Sequence, residues 1–476
     1  MTAFVFAVII LLSLYFAFRS RHGHDVSNIE EYLVAGRSFS GLLLFFLAVG
    51  EIYSIGTLIG LPGGIYAKGV SYGYWFLGYI LLAYPVGYFI GPLIWRAGKR
   101  YAAMTVPDIF KGHYSHRALE LIVTISALIF LIPWGQLQFA GLEVALSALG
   151  FHLSPTVAVF LAGCIAFLYI AVSGVRAPAI VSILKDTFMV LAIVIAGVAV
   201  MLAVHGVPKV FSQAAAHGVS TTIAKPQDIV FTLTTILFQA LGFYVTPLTA
   251  PFLFTARSER TVKRTQRIMP LYMLMYPFLI IASYYAFLIA PHLEQANTAF
   301  IVTSVSLLPP WLLGVVAAGA ALSGILVLAT ISLAIGGMVS RNLVRNIPQT
   351  SQRKWTQIAI VVYLIVSMAL TLGAPTLMLT LINTAYYGFT QLFPGFIAVF
   401  FSRKVTPTGV AAGLLTGEVA VLVLYLSQAN FYGVNSGLIA LVLNFIVMYA
   451  VSAIFASKVS LRAPVAHAAS VDRSAL

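Results

Sequence analysis

The chain has 476 residues, of which 61% are hydrophobic and only 8% are charged. Soluble domains carry about 25% charged residues, so this composition excludes an ordinary water-soluble protein. The net charge of +14 does not indicate nucleic-acid binding, because the basic residues are spread over many loops and form no single basic face. We therefore expect a membrane protein whose basic residues report its orientation.

Thirteen stretches are apolar and long enough to cross a bilayer, which takes roughly 20 helical residues because lipid satisfies no backbone polar group. In chain order they cover residues 2–18, 40–66, 72–95, 118–147, 155–173, 178–204, 228–255, 269–290, 310–339, 356–376, 380–401, 407–426 and 434–455. The first lacks the basic leader and cleavage site of a signal peptide, so we expect a retained helix. The sequence thus predicts an all-α polytopic membrane protein with thirteen transmembrane helices.

The lysines and arginines predict the topology, because short cytoplasmic loops collect them. If the N-terminus lies outside, every second loop is cytoplasmic. Those loops then hold all 27 lysines and arginines except Lys68, Lys185, Lys209 and Lys225. We expect a multi-pass protein of a bacterial inner membrane with a cytoplasmic C-terminus. Its expected partners are membrane lipid and a small-molecule substrate, and the oligomeric state stays open.

Two of the predicted helices are interrupted near their middle. The second contains glycine, proline and polar residues between Gly50 and Gly63, and the seventh does so between Gln239 and Pro251. Transporters bind polar solutes at such interruptions, because unwound backbone offers free carbonyl and amide groups. Each interruption opens a block of five helices, and an odd number of helices gives the two blocks opposite orientations. The alternative, that glycine and proline only kink helices for packing, stays open.

These blocks divide the chain. We expect an extra helix and loop over 1–39, a first inverted repeat of helices 2 to 6 over 40–204 and a second repeat of helices 7 to 11 over 205–402. Two peripheral helices over 403–457 and a disordered cytoplasmic tail over 458–476 complete the chain.

Charged residues inside apolar helices are costly and are functional candidates by default. Glu51 lies inside the first interruption, although neighbouring amides alone can satisfy such a carboxyl group. Lys185 and Asp186 are adjacent, and they are equally consistent with a structural ion pair and with a cation relay. Glu418 lies in a peripheral helix, where packing or an oligomer contact is the favoured interpretation.

Three segments resemble the sodium:solute symporter family: GEIYSIGTLIGLPGGIYAKG at 50–69, GVRAPAIVSILKD at 174–186 and ATISLAIGGMVSRN at 329–342. The Gly-Glu-Ile-Tyr opening at 50–53 and Ile-Trp-Arg at 94–96, together with the lysine-aspartate pair, are most similar to the bacterial monocarboxylate permeases. The resemblance implies a leucine-transporter-like core of five plus five helices in inverted repeat. It also implies cation-coupled symport of a short monocarboxylate such as lactate or pyruvate, without an organic cofactor.

The resemblance further implies a sodium site between helices 2 and 9. Matching the motifs makes the carbonyl groups of Gly50 and Tyr53 donors to the ion, with Ala329 and Ser332 opposite. Leu333 stands where the family usually supplies a hydroxyl group, so one oxygen ligand of a hard cation is missing. The coupling ion therefore stays open between Na⁺ and H⁺.

A proton would need a carrier inside the membrane, and the coupling candidates are Glu51 and Asp186. A carboxyl group in a low-dielectric environment can take up and release a proton near neutral pH. Our hypothesis is that Glu51 is the protonatable coupling group.

We expect the substrate near the middle of the bilayer, between the two interrupted helices, with helices 4 and 11 as further walls. Polar side chains on four different helices are more than packing alone predicts. The candidate substrate-binding residues are Glu51, Ser54, Thr57, Trp134, Gln136, Gln138, Tyr244, Thr246, Asn383 and Tyr386. Many of the 23 tyrosines must nevertheless only fill helix interfaces.

Other functional classes fit less well. The sequence has no paired catalytic carboxylates, no histidine-rich metal motif, no Gly-x-Ser-x-Gly elbow and no nucleotide-binding loop, so it predicts neither an enzyme nor an ATP-driven pump. A receptor would need an output module, and the tail offers none. Symport of an amino acid or another small solute, and uncoupled facilitated diffusion, are the alternatives that stay open.

Overall fold

A computed structural model describes residues 1–20, 22, 27–148, 150, 154–216, 219–373, 377–455 and 462–467. Among these residues the regular structure is helical, apart from one isolated parallel β-bridge. The α-helices are α1 (Thr2–Arg19), α2 (Ile29–Val34), α3 (Gly41–Ile52), α4 (Leu61–Lys68), α5 (Val70–Arg100), α6 (Val106–Tyr114), α7 (Arg117–Ala148), α8 (Pro155–Ser173), α9 (Arg176–Ala203), α10 (Val207–Ala216), α11 (Pro226–Gly242), α12 (Thr249–Thr255), α13 (Glu259–Ile268), α14 (Tyr276–Ile289), α15 (Ala299–Leu307), α16 (Pro310–Met338), α17 (Gln349–Gly373), α18 (Met378–Phe389), α19 (Phe393–Phe401), α20 (Pro407–Leu426) and α21 (Ser436–Phe455).

The described part of the chain holds 10 helices that are long and apolar enough to cross a membrane, and 11 if the bent pair α3 and α4 forms one span. Each of the thirteen predicted stretches contains a helix, including α8 and the α18–α19 pair, which fall outside that count. The all-α polytopic class is confirmed. The number of thirteen spans and the domain boundaries stay predictions.

The first interruption lies where the sequence predicts it. Helix α3 ends at Ile52, and Tyr53 leaves the helical conformation with φ −96° and ψ 73°. A π-helical turn over Gly56–Gly60 follows, and α4 continues at an angle of 41°. Pro62 has no N–H to donate, so it stands in the first turn of α4, where no helical acceptor is needed. We call residues 53–60 the first break.

The second interruption is also present. Helix α11 ends at Gly242, a 3-10 turn covers Phe243–Val245, and Thr246 is extended with φ −62° and ψ 151°. Thr246 precedes a proline, which disfavours the helical conformation of the residue before it. The chain becomes helical again at Thr249. We call residues 243–248 the second break.

Backbone hydrogen bonds join the two interrupted helices at one end of the bundle. Phe39 N donates to Thr255 O at 2.9 Å, and Arg257 N donates to Phe39 O at 3.2 Å, which forms the parallel bridge. Nearby, Arg96 and Glu259 form a bidentate pair at 2.8 and 3.0 Å. We call this the basic end, defined by Arg37, Arg96, Arg176 and Arg257. The distribution of lysines and arginines predicts that this end faces the cytoplasm.

Helix α16 runs through the centre of the bundle, and 83% of its most apolar window is buried. It packs against α1, α3, α7, α9 and α17. Small residues allow this close packing, because a Cβ atom at Gly319 would lie 3.3 Å from backbone atoms of Met189 on α9. The arrangement brings α3 and α9 side by side.

Part of the predicted tail is described and contacts the helices. Arg462 donates hydrogen bonds to Gly112 O and to Ser115 Oγ, and Val465 is buried. Arg100 Nη1 donates to Ala463 O at 2.9 Å. Residues 458–461 and 468–476 of the predicted tail lie outside the described residues.

Candidate functional site

A closed cavity of about 280 Å³ lies between the two breaks. It is lined by Glu51, Ile52, Tyr79, Trp134, Phe243, Thr246, Leu248, Thr249, Tyr386 and Phe389. All of these side chains except that of Ile52 are buried. Most of the space is crevice between side chains, with room for about one water molecule. A solute can enter only if the walls move apart, and the small size favours a small solute.

Glu51 supplies the only carboxyl group among the described residues of the lining. It is the last residue but one of α3, so the helix ends where this side chain reaches the cavity. Its side chain is 5% exposed, and the charge of Lys185 acts on it. The carboxyl group therefore faces the cavity from within the protein.

Trp134 and Tyr386 form the aromatic wall of the cavity. Their rings meet edge to face with centroids 5.8 Å apart, and Tyr386 meets Tyr79 in the same way at 5.4 Å. The buried Nε1 of Trp134 has no hydrogen-bond partner within the described part of the chain. An unpaired buried donor is costly, so its presence in a cavity lining indicates a ligand acceptor.

Two hydroxyl groups come from the second break. Thr246 Oγ1 donates to Thr249 Oγ1 at 3.0 Å, and Thr249 N donates to Thr246 Oγ1 at 3.0 Å. This local bonding holds both threonines against the cavity while the backbone of the break stays non-helical.

A lysine side chain donates hydrogen bonds to carbonyl groups at the C-terminal end of α3. The last carbonyl groups of a helix have no helical partner. Lys185 Nζ on α9 donates to Gly50 O at 3.0 Å and to Tyr53 O at 2.9 Å. Asp186 Oδ1 lies 2.5 Å from the same nitrogen as an ion pair, and both residues are buried. The ammonium group thus donates to two carbonyl oxygens, and the Asp186 carboxylate balances its charge.

Gly50 allows this contact. A Cβ atom at this position would lie 2.7 Å from Ser182 Cβ, which is too close for any side chain. The missing side chain lets α9 approach α3, and Lys185 lies one turn beyond Ser182 on the same face.

The residues that the resemblance assigns to sodium do not fit that ion here. Ser332 Oγ donates to Leu328 O at 2.7 Å within α16, and Leu333 offers no oxygen. The carbonyl groups of Gly50 and Tyr53 already accept from an ammonium group. Ala329 is buried on α16, where its carbonyl group belongs to the helical hydrogen-bond ladder. We therefore derive no step through sodium.

The cavity contains four of the candidate substrate-binding residues: Glu51, Trp134, Thr246 and Tyr386. The other six, which do not line it, are Ser54, Thr57, Gln136, Gln138, Tyr244 and Asn383. Several of these have other partners. Ser54 Oγ accepts from Gly56 N at 3.1 Å, and the Tyr244 hydroxyl donates to Gln266.

The three amides are also engaged elsewhere. Gln136 Nε2 donates to Leu370 O at 3.4 Å, and Gln138 Nε2 donates to Trp134 O at 3.3 Å. Asn383 Oδ1 accepts from Gln239 Nε2 at 3.1 Å. Thr57 Oγ1 is buried without a hydrogen-bond partner among the described residues.

The sequence analysis missed four polar or aromatic lining residues: Tyr79, Phe243, Thr249 and Phe389. Thr249 and Phe243 lie in or beside the predicted second interruption, and that position was a usable signal. Tyr79 and Phe389 sit in tyrosine- and phenylalanine-rich helices, where no sequence signal separates them from packing residues.

A second, narrow cavity with an internal volume of about 20 Å³ lies near the basic end. Its lining includes Thr105, Val175, Thr330, Leu333 and Leu248. Leu248 lines both cavities and is 1% exposed. This one side chain of the second break therefore lies between the inner cavity and the basic end.

A buried polar cluster closes the basic end beside this second cavity. Asn342 Nδ2 donates to Asp108 Oδ1 at 2.8 Å and to Glu120 Oε1 at 3.0 Å, and Arg341 Nε lies 3.1 Å from Asp108 Oδ2. Burial acts to raise the pKa of Asp108. The Arg341 guanidinium, the Met104 N–H and the Asn342 amide outweigh it and hold that pKa below its usual value.

Glu418 does not face either cavity. Ser126 on α7 donates a hydrogen bond to its carboxyl group, which places Glu418 between α20 and α7. This position agrees with the packing role that its peripheral helix predicts.

Comparisons with known proteins agree with this architecture. The family model described as "Sodium:solute symporter family" matches residues 32–417. The chain is 28% identical to the uncharacterized symporter YhjB of Bacillus subtilis in an alignment 468 positions long, which covers 93% of this chain and 95% of the relative. It is 26% identical to the monocarboxylate transport permease protein of Rhizobium johnstonii, over 96% of this chain and 97% of that protein.

The fold is similar to that of a Na⁺-coupled sialic acid symporter in a substrate-bound outward-open state. The TM-score is 0.76 with 16% sequence identity, and the match covers 96% of this chain and 97% of that one. The likeness confirms the leucine-transporter-like core of five plus five helices in inverted repeat. The family match spans most of the chain, so this protein belongs to the sodium:solute symporter family.

Proposed function

We propose that this chain is a secondary active transporter that carries a short monocarboxylate, such as lactate or pyruvate, together with a cation across a bacterial inner membrane. The observation that carries the proposal is the closed cavity between the two breaks. It combines one carboxyl group, an unpaired indole N–H and two threonine hydroxyls within an aromatic wall. Small apolar pockets with a few convergent polar groups are typical ligand sites.

The polar groups suit a carboxylate. Trp134 Nε1 is a donor without an acceptor among the described residues, and the hydroxyl group of Thr249, which accepts from Thr246, adds a further donor on another wall. Hydrogen bonds to a charged acceptor are about twice as strong as neutral ones. The relative from Rhizobium johnstonii, named a monocarboxylate transport permease protein, supports this substrate class.

The carboxyl group of Glu51 in the cavity lining favours a proton as the coupling ion. A substrate carboxylate beside an ionised Glu51 would place two negative charges in a low-dielectric space, and one shared proton removes the repulsion. Asp186, the other coupling candidate, is already paired with Lys185. Substrate and proton would then bind together, which couples their movements.

The closed cavity fits an alternating-access cycle. On the side away from the basic end, Tyr66 on α4 donates to Ala290 O at 2.6 Å and accepts from Leu293 N at 3.0 Å. On the other side, Leu248 lines both cavities. Release toward the basic end thus needs a smaller rearrangement, and substrate shifts the balance of states only through its differential affinity for them.

Uptake into liposomes tests the proposal. Purified protein is reconstituted and supplied with labelled lactate, pyruvate or proline, with and without an inward proton gradient. We expect lactate or pyruvate to accumulate above its external concentration only when the gradient is present. Accumulation of proline instead would establish the amino-acid alternative, and equilibration without accumulation would establish a facilitator.

A further inference from the structure

We propose that the ammonium group of Lys185 is a built-in cation that occupies the carbonyl pair of Gly50 and Tyr53, so that this pair binds no sodium ion. The inference deepens the proposed function and rests on it for its meaning in transport. It concerns the site that the family resemblance assigns to the coupling ion, and the occupant is part of the chain.

The contacts around Lys185 are those of a coordinated cation. Its nitrogen lies 3.0 Å from Gly50 O, 2.9 Å from Tyr53 O and 2.5 Å from Asp186 Oδ1. Two of the three N–H donors of the ammonium group are hydrogen-bonded to these carbonyl oxygens, and the Asp186 carboxylate lies in ion-pair contact with the same nitrogen. Asp186 balances the charge, so the pair needs no further ion.

The position of Lys185 is fixed by its surroundings. Its side chain has an exposed fraction of 0%, and that of Asp186 is 2%. Gly50 allows α9 to approach closely enough at Ser182 for the lysine to reach across to α3. The ammonium therefore belongs to the packed core and does not extend into either cavity lining.

A sodium ion would meet two obstacles at this place. It would have to share two carbonyl oxygens with a positive charge, and like charges at that separation repel strongly where water is excluded. On the α16 side, Ser332 Oγ donates to Leu328 O and keeps its lone pairs for a cation, but the side chain of Leu333 offers only carbon, so one ligand is missing. A hard cation prefers a full set of oxygen ligands, which is missing here.

The positive charge at this site therefore joins a different pair of helices. A sodium ion held by the predicted residues would tie the first break to α16. The ammonium ties the same carbonyl groups to α9, through a covalent side chain that cannot dissociate. Substrate binding therefore needs no sodium at this position.

Thermal unfolding of the purified protein tests this without any substrate. Melting temperatures are measured in sodium, potassium and choline chloride at equal ionic strength, and saturable binding of ²²Na⁺ is measured in parallel. The variants are Lys185→Ala, Leu333→Ser and the double variant, with Lys68→Ala at the exposed end of α4 as the matched lysine control.

We expect the wild type, Leu333→Ser and Lys68→Ala to have the same melting temperature in sodium, potassium and choline chloride and to show no saturable binding of ²²Na⁺. Lys185→Ala should melt at a lower temperature, and methylammonium should restore part of the loss because it can refill the carbonyl pair. The double variant, which has both the vacated carbonyl groups and a new hydroxyl group, should bind ²²Na⁺ and be stabilised by sodium but not by potassium.

Two results would overturn the inference. One is a saturable sodium response of the wild type. The other is a loss of stability in Lys185→Ala that neither methylammonium nor sodium restores in either variant. If Lys185→Ala does not fold, the wild type and Leu333→Ser still decide the question, because either one binding sodium saturably contradicts the proposal. None of these measurements depends on lactate or pyruvate, so an error in the proposed substrate leaves their outcome unchanged.

Discussion

Trp134 on α7 and Tyr386 on α18 meet edge to face, with ring centroids 5.8 Å apart, and both line the closed cavity. The two helices belong to different halves of the chain. Their contact therefore joins the two repeats across the proposed substrate site. The affinity for a substrate bound between the two rings would depend on the distance between the repeats.

Replacing Trp134 with phenylalanine should weaken monocarboxylate binding about tenfold, since a hydrogen bond to a charged acceptor contributes about 1.5–3 kcal/mol. The change keeps an aromatic ring and removes the unpaired Nε1 donor. Calorimetric titration of lactate measures the effect. Trp75→Phe is the matched control, because the Trp75 Nε1 is also buried without a partner among the described residues but does not line the cavity. Equal losses in both variants would contradict the assignment.

Glu51→Gln should abolish accumulation driven by a proton gradient while exchange of labelled for unlabelled substrate continues. The amide keeps the shape of the side chain and cannot carry a proton. The two assays, run on the same liposomes, separate coupling from binding. Glu418→Gln serves as the control, because this carboxyl group is bonded to Ser126 and does not line the cavity. Gradient-driven accumulation that persists in Glu51→Gln would exclude Glu51 as the carrier.

Leu248→Ala should open a path between the two cavities, because this side chain lines both and is 1% exposed. We expect faster downhill efflux of substrate from loaded liposomes and a lower steady-state accumulation. Leu293→Ala, on the opposite side of the site, is the comparison and should not produce the same leak. Efflux that stays at the wild-type rate would show that another side chain closes the path.

Asp108→Asn should lower the free energy of unfolding by about 1–3 kcal/mol, because it removes the charged acceptor of Arg341 and Asn342 in a buried cluster. The folded-state pKa of Asp108 is depressed, so this stabilisation is present above the unfolded pKa of about 3.9 and is lost as pH falls through the lower folded-state value. The difference in melting temperature between wild type and variant should therefore shrink below about pH 4. The exposed Asp228→Asn should show no such difference.

Gly50→Ala should impair folding and transport, since its Cβ atom would lie 2.7 Å from Ser182 Cβ. A second change, Ser182→Gly, removes that obstacle and should restore part of the melting temperature. Gly41→Ala at the start of α3 is the control, because its nearest neighbour would lie 4.0 Å away. Failure of the second change to restore anything would show that the approach of α9 is not the limiting contact.

The two breaks could be predicted from sequence because their causes are local. Pro62 and Pro247 lack an N–H, and the residues around them include glycines and hydroxyl-bearing residues that compete with helical bonding. The same local information singled out Glu51, which the structure places in the last turn of α3, directly before the first break. Fold class followed from apolar length alone, which is a strong signal in membranes.

The partners of the predicted residues depend on how the helices are rotated and aligned against one another. The sequence left Lys185 and Asp186 open between an ion pair and a cation relay. The contacts of Lys185 with Gly50 and Tyr53 join residues more than 130 positions apart in the chain, so no local pattern predicts them. Asn383 was placed in the substrate site, although it faces Gln239 on α11. The spacing of residues in the sequence predicts which of them share one face of a helix. It does not predict which neighbouring helix packs against that face.

The parallel bridge at Phe39 has a consequence for motion. Its two hydrogen bonds connect main-chain atoms before α3 with main-chain atoms at the end of α12, so no side chain has to hold the two elements together. A hinge motion that keeps these hydrogen bonds moves both interrupted helices together. Movement of one interrupted helix alone at this end would break both hydrogen bonds, so a movement of the pair as a unit, or of the surrounding helices, costs less.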